Sequence, residues 1–172
     1  MDAIILTAGK GTRLNPLTKN LPKPLFPVAG KPLLKHILDS LPKKITRVII
    51  VIGYENQQIK DYVIRKRYPF DIIWVYQEKQ LGTGHAVYLC KSHIQSEHFF
   101  MMYGDIFVEK EIVQSVINYP LKEELTEGVI ASVQVKFPEK YGCLEIKKER
   151  LVRIWEKHPE PPSRNINAGL ML

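Results

Sequence analysis

Asp2-Ala-Ile-Ile-Leu-Thr-Ala-Gly-Lys-Gly-Thr-Arg-Leu14 sets the frame for the whole chain. Its first half is a short apolar run, which suits a parallel strand buried on both faces. Gly9 and Gly11 follow at once. A glycine-rich turn directly after a buried strand lets the backbone approach a phosphate, and its N–H groups can cradle the anion. Taken alone, the two glycines are equally compatible with a plain tight turn. Arg13, and Lys23 within Pro22-Lys-Pro24, add cations in reach of the same loop, as a triphosphate requires. The loop is not a P-loop, because no Gly-Lys-Ser/Thr closes a four-residue spacer. Nor is it the dinucleotide fingerprint, since Leu14 stands where the third glycine belongs.

Working outward, prolines at 16, 22, 24, 27 and 32 forbid a regular helix between Gly9 and Pro32. A loop of that length inside a compact domain points to function or disorder. Leu33, Leu34, Ile37, Leu38 and Leu41 then fall at helical spacing, and Arg47–Ile52 reads as a second buried strand. Ile59, Tyr62 and Val63 predict a helix over about 56–67, and Asp71–Tyr76 a third strand. Gly84–Lys91 reads as helix, His98–Tyr103 as a fourth strand, and Ile112, Val113, Val116 and Ile117 mark the next helix. This alternation predicts an α/β fold: a Rossmann-like three-layer domain with a mostly parallel sheet covered on both faces. After Gly128 the rhythm changes. Val129–Lys136 is strand-like, Tyr141–Ile146 and Leu151–Glu156 form a hairpin around a charged turn, and Asn165–Leu172 is one more strand.

The chain of 172 residues has the length of one domain, spanning 1–172, and its 45% hydrophobic and 25% charged content is ordinary for a globular protein. The net charge of +7 arises from short scattered pairs such as Lys43–Lys44 and Lys147–Lys148. That pattern fits a field favouring small polyanions better than a nucleic-acid surface. Cys90 and Cys143 lie far apart, and neither a disulfide framework nor a zinc site is indicated. No apolar run reaches the roughly 18 residues of a membrane span, and Met1 leads into a strand rather than a secretory signal. The expected location is cytoplasmic, without nucleic-acid or membrane partners.

At Leu6–Leu14 and Pro22–Pro24 the chain resembles the sugar-1-phosphate nucleotidyltransferases, whose signature loop is usually Leu-Ala-Ala-Gly-x-Gly-Thr-Arg-Leu with a Pro-Lys-Pro downstream. Thr7 takes the place of the usual first alanine. Gln77-Glu-Lys-Gln-Leu-Gly-Thr-Gly-His-Ala86 most resembles the uridylyltransferase domain of N-acetylglucosamine-1-phosphate enzymes, and thymidylyltransferases share most of the other motifs. The resemblance implies that Leu6, Ala8, Gly9, Gly11, Thr12, Arg13 and Lys23 bind the nucleotide's phosphates. Gln77 and Gly82 would recognise a pyrimidine base with Thr83 beside them. His85 is expected on the helix surface or packed rather than in the chemistry.

Met101-Met-Tyr-Gly-Asp105 places a carboxylate just past a buried strand, at the edge where open α/β sheets bind ligands. By resemblance Asp105 holds a magnesium ion, Mg2+, a hard cation suited to oxygen ligands. Gly142, Glu156, Lys157 and Asn167 would meet the sugar-1-phosphate, although His158 separates Lys157 from Pro159 where the family has Glu-Lys-Pro. Arg13, Lys23 and Asp105 are the implied catalytic groups of a transfer from UTP or dTTP to a sugar-1-phosphate. Family members carry a second metal ligand beyond the point that Leu172 reaches. This implies a domain short at its C-terminal end, and leaves open a nucleotide-binding module without turnover. A final strand left at the sheet's edge would also invite association with a second copy.

Overall fold

The computed structural model describes residues 1–9, 21–53, 57–121 and 127–172. Gly11, Thr12 and Arg13 lie outside them. The chain opens with β1 (Asp2–Leu6), crosses a short β2–β3 pair (Pro27–Val28 and Lys31–Pro32) and enters α1 (Leu33–Ser40). As the prolines require, the described part of the loop before Pro32 holds no α-helix, only the 3-10 turn Lys23–Leu25 and the short β2–β3 pair. Pro42 ends α1 by forcing Leu41 into extended backbone at φ −67°, ψ 131°. Then come β4 (Arg47–Ile52), α2 (Gln57–Ile64), β5 (Asp71–Tyr76), α3 (Thr83–Leu89), β6 (Phe99–Tyr103) and α4 (Lys110–Ile117). Four more strands follow: β7 (Ile130–Gln134), β8 (Gly142–Lys147), β9 (Arg150–Glu156) and β10 (Asn165–Met171).

Among the described residues the sheet has eight strands in the order β5-β4-β1-β6-β10-β8-β9, with β7 paired to β10. The first four strands run parallel, and the β10, β7, β8 and β9 pairings are antiparallel. Strand alternation divides the apolar residues between two layers. Ala3, Ile5, Val48, Ile50, Phe100 and Met102 pack beneath α1, α2 and α4, where Leu34, Ile37, Ile59 and Val113 are buried. Ile4, Ile49, Val51 and Met101 face the opposite way, onto Ala86 and Cys90 of α3 and the turn after it. No described helix is long and apolar enough to cross a membrane.

The last strand departs from expectation. β10 is not an edge: β7 pairs along one side, while the other side meets β8 at Ile166–Cys143 and then β6 at Leu170–Met102. A bulge between Asn167 and Met171 makes the change of partner, with Gly169 at φ +81°. Among the described residues the strands of this sheet with a single neighbour are β5, β7 and β9, so the expected association through β10 is withdrawn.

At the opposite end of β1, Asp2 is buried and accepts two-pronged hydrogen bonds from Arg47 and the amides of Gln95 and Ser96. Burial alone would raise its pKa. The two amides and Arg47 outweigh that and hold it below the ordinary 3.8. A carboxylate with a depressed pKa stabilises the fold above its unfolded pKa, and the stabilisation fades as pH falls through the folded value. Asp2→Asn is therefore expected to cost about 2 kcal/mol in urea unfolding at pH 7, since it leaves Arg47 largely unneutralised. The gap between wild type and variant should narrow below pH 4; a gap that persists at pH 2 would count against this account.

Candidate active site

β1 leads outward through β4 to β5 on one side, and the chain then returns to lay β6 on its other side. That reversal opens a crevice at the carboxyl ends of β1 and β6, where doubly wound sheets take their ligands. Thr7-Ala-Gly9 leaves β1 there, and Gly104-Asp105 leaves β6 beside it. Thr7 is 3% exposed, and both its N–H and its hydroxyl donate to the Val51 carbonyl, at 2.8 and 2.7 Å. The hydroxyl that Thr7 carries where the family pattern has alanine is thus satisfied in place.

Lys23 comes to this crevice from the proline-rich segment. Pro24 and Leu25 are buried, and the turn is closed by the Leu25 N–H on Pro22 and the Phe26 N–H on Lys23. This anchoring lets the Lys23 ammonium reach the Asp105 carboxylate at 2.7 Å across 82 residues. Both side chains remain partly open to solvent, so the pair contributes about 1 kcal/mol or less to stability. Its importance is positional: a cation and a carboxylate meet where Gly104 and Asp105 leave β6, beside the Leu6-Thr7-Ala8-Gly9 end of β1.

The second loop comes from β5. Gln77 is buried, and its N–H donates to Ile52. Its side-chain Nε2 donates to the Gly82 carbonyl at 3.1 Å and lies 3.1 Å from His85 Nδ1. A carbonyl can only accept, so Gly82 fixes which end of the amide faces it. His85 Nδ1 is then the acceptor of the second amide hydrogen, and the imidazole packs on Gln77 as a support. Gly82 sits at φ +98° and caps α3, whose first residue is Thr83. The loop turns back on the first one, because Gln80 Nε2 donates to the Ala8 carbonyl.

A third group lies across β10, β8 and β9. Gly142 pairs with Glu156, and a Cβ added to Gly142 would meet Glu156 Oε2 at 2.9 Å. Lys157 adopts φ +46°, its N–H donates to Tyr141, and its ammonium lies 3.4 Å from Glu156. The extra residue His158 packs edge-on against Trp155. Asn167 donates to the Tyr103 hydroxyl at 3.2 Å and accepts the Gly169 N–H at 2.8 Å. The Ile166–Cys143 pairing sets Asn167 level with Gly142, and Tyr103 ties Asn167 to the end of β6. The residues expected to meet the sugar thus share one sheet edge with Asp105. Motif reading passed over Gln80, Tyr103, Gly104 and Gly169. Only their place inside or beside motif blocks could have signalled them, since their partners are remote in sequence.

Among the described residues no group of three or more His, Cys, Asp or Glu side chains is poised to hold a metal ion. Asp105 is a solitary, half-exposed carboxylate oxygen donor. That suits a magnesium ion which draws its remaining ligands from phosphate and water.

Comparison with known proteins extends the match to almost every residue. The family model for nucleotidyl transferase matches residues 2–172. The bifunctional protein GlmU of Methanococcus maripaludis is 40% identical over 173 residues; the alignment covers 99% of this chain and 39% of that protein's length. The chain thus spans about two fifths of the bifunctional relatives it matches. The UTP–glucose-1-phosphate uridylyltransferase AglF of Haloferax volcanii is 31% identical, with 98% of this chain and 70% of the relative covered. Among solved structures, a putative glucose-1-phosphate thymidylyltransferase from Bacillus anthracis superimposes with a TM-score of 0.83 at 26% identity, covering 99% of this chain and 70% of that one. A match that leaves only Met1 outside it, on a fold shared with such an enzyme, means that the chain belongs to the nucleotidyl transferase family, among its sugar-1-phosphate nucleotidyltransferases.

Proposed function

We propose that this site transfers a nucleotidyl group from UTP or dTTP to a sugar-1-phosphate and releases pyrophosphate. The observation that carries the reading is the meeting of Lys23 and Asp105 at the switch-point crevice, beside the phosphate loop. In the reaction an oxygen of the sugar phosphate attacks the α-phosphorus in line. A new P–O bond forms as the bond to the bridging oxygen breaks, and pyrophosphate leaves with the electron pair. The attacking group is already an anion, so no protein nucleophile is needed. What the protein supplies is alignment and cations where charge accumulates.

In this reading the amides of Gly9, Gly11 and Thr12 hold the triphosphate and Arg13 draws on the departing pyrophosphate. Lys23 meets the α-phosphate or the incoming phosphate. Asp105 would hold magnesium, whose chemistry is to neutralise the phosphate oxygens. Lys23 then exchanges its carboxylate partner for phosphate oxygens, a short move for a flexible side chain. Gly142, Glu156, Lys157 and Asn167 are the sugar-phosphate ligands.

The orientation of Gln77 supports a uracil or thymine base. With its NH2 committed to Gly82 and His85, its Oε1 is the group it has to offer. Uracil and thymine carry an N3–H donor for such an acceptor, whereas cytosine presents a bare N3. The relative AglF, named for UTP and glucose-1-phosphate, agrees with that preference.

The test is magnesium-dependent pyrophosphate release, with four triphosphates crossed with glucose-, N-acetylglucosamine- and mannose-1-phosphate. UTP or dTTP is expected to lead, and Gln77→Leu to reduce the preference over CTP by about tenfold. Release with GTP or ATP alone would overturn the pyrimidine assignment. Nucleotide binding without release from any pair would favour the binding-module reading instead.

A further inference from the structure

Gln80 belongs to the base loop, yet its side chain serves the phosphate loop. A tight three-residue turn, closed by the Leu81 N–H on the Lys79 carbonyl, puts Gln80 at its centre. From there Gln80 Nε2 donates to the Ala8 carbonyl at 2.5 Å, across 72 residues. The Ala8 carbonyl and the Gly9 N–H belong to one planar trans peptide, so they point in opposite directions. The base loop follows β5, which lies on the β4 side of β1, while the crevice lies on the β6 side. Drawing the carbonyl toward Gln80 therefore turns the Gly9 N–H toward the crevice. Gly9 is exposed, and among the described residues a Cβ built on it would meet nothing within 4 Å.

We propose that Gln80 is a positioning residue: by holding the Ala8 carbonyl it aims the Gly9 amide at the triphosphate, and so couples the base loop to the phosphate loop. The inference rests on the nucleotide reading above. Gln80 itself need not touch substrate. A peptide free to flip would present its carbonyl to phosphate oxygens for part of the time, weakening the one recognition that depends on it.

The variant Gln80→Met keeps side-chain length and neutrality and removes the amide, and with it the donor to Ala8. Two readouts on the full chain decide the matter. In calorimetry, binding of UTP or dTTP is expected to weaken about tenfold, with uridine or thymidine changed less than twofold. In ligand-free protein, the amide resonance of Gly9 should shift in the variant, while those of the β4 strand stay in place. Gln80 is exposed, so melting should be nearly unchanged. Unaltered triphosphate affinity, or equal loss for nucleoside and triphosphate, would overturn the proposal while leaving the nucleotide site standing. Wild-type protein that binds no triphosphate would instead remove the parent reading, and an unmoved Gly9 resonance would rule out the tether itself.

Discussion

Asp105→Ala is expected to lower magnesium-dependent pyrophosphate release by about 1,000-fold, equivalent to about 4 kcal/mol of transition-state stabilisation. The side chain is half exposed and makes one surface ion pair, so urea unfolding should change by less than about 1 kcal/mol. That separation between activity and stability is the point of the experiment. Asp105→Asn sharpens it. The amide can still accept a hydrogen bond from Lys23 but carries no charge, so a comparable loss of turnover would assign the effect to the negative charge. Turnover unchanged in either variant would remove Asp105 from the mechanism. Loss accompanied by an unfolded protein would point to a structural role that the exposed pair does not predict.

Much of the parallel half could be read from spacing alone. The runs Ala3–Leu6, Val48–Ile52 and Phe99–Met102 are apolar on both faces, as strands buried between helices must be. Leu33, Leu34, Ile37 and Leu38 define one helical face without ambiguity. The antiparallel half was legible as elements and not as an arrangement. Asn165–Met171 reads plainly as a strand, but its place between β6, β7 and β8 depends on pairings with residues 20 to 70 positions away. A bulge at Gly169 redirects it, and no periodicity announces a bulge.

The site divides in a similar way. Asp105 and Lys23 could each be singled out from local context, a carboxylate after a buried strand and a lysine between prolines. Their ion pair could not, because it needs the proline-rich segment to fold across the end of β6. Gln77 could be singled out as a loop amide after a strand, whereas the direction of that amide follows only from the Gly82 carbonyl and His85. Gln80, with no motif role of its own, became visible only through the atom it holds.

Glycine gives the sharpest contrast between the two levels, and Gly104→Ala carries the second large expected effect. The sequence draws attention to Gly9, where an added Cβ would meet nothing within 4 Å among the described residues. At Gly104 the same Cβ would lie 2.5 Å from Thr7 Cγ2 and 2.7 Å from the Leu6 carbonyl oxygen. Neither neighbour can step aside cheaply. Thr7 is pinned by its hydroxyl on Val51, and the Leu6 carbonyl is held by the Gly104 N–H itself at 2.8 Å. The ends of β1 and β6 must therefore part, carrying Asp105 away from Lys23 and the phosphate loop. The expected cost is about 2–3 kcal/mol of stability with at least a 100-fold loss of turnover. Adding Thr7→Ala relieves the methyl contact and leaves the carbonyl contact, so it should restore only part of either loss. Gly9→Ala is the control for stability, expected within about 0.5 kcal/mol of wild type because its new methyl group meets no described residue within 4 Å. A Gly104→Ala protein as stable and active as wild type would show that the two strand ends are not in the close contact on which the crevice geometry depends.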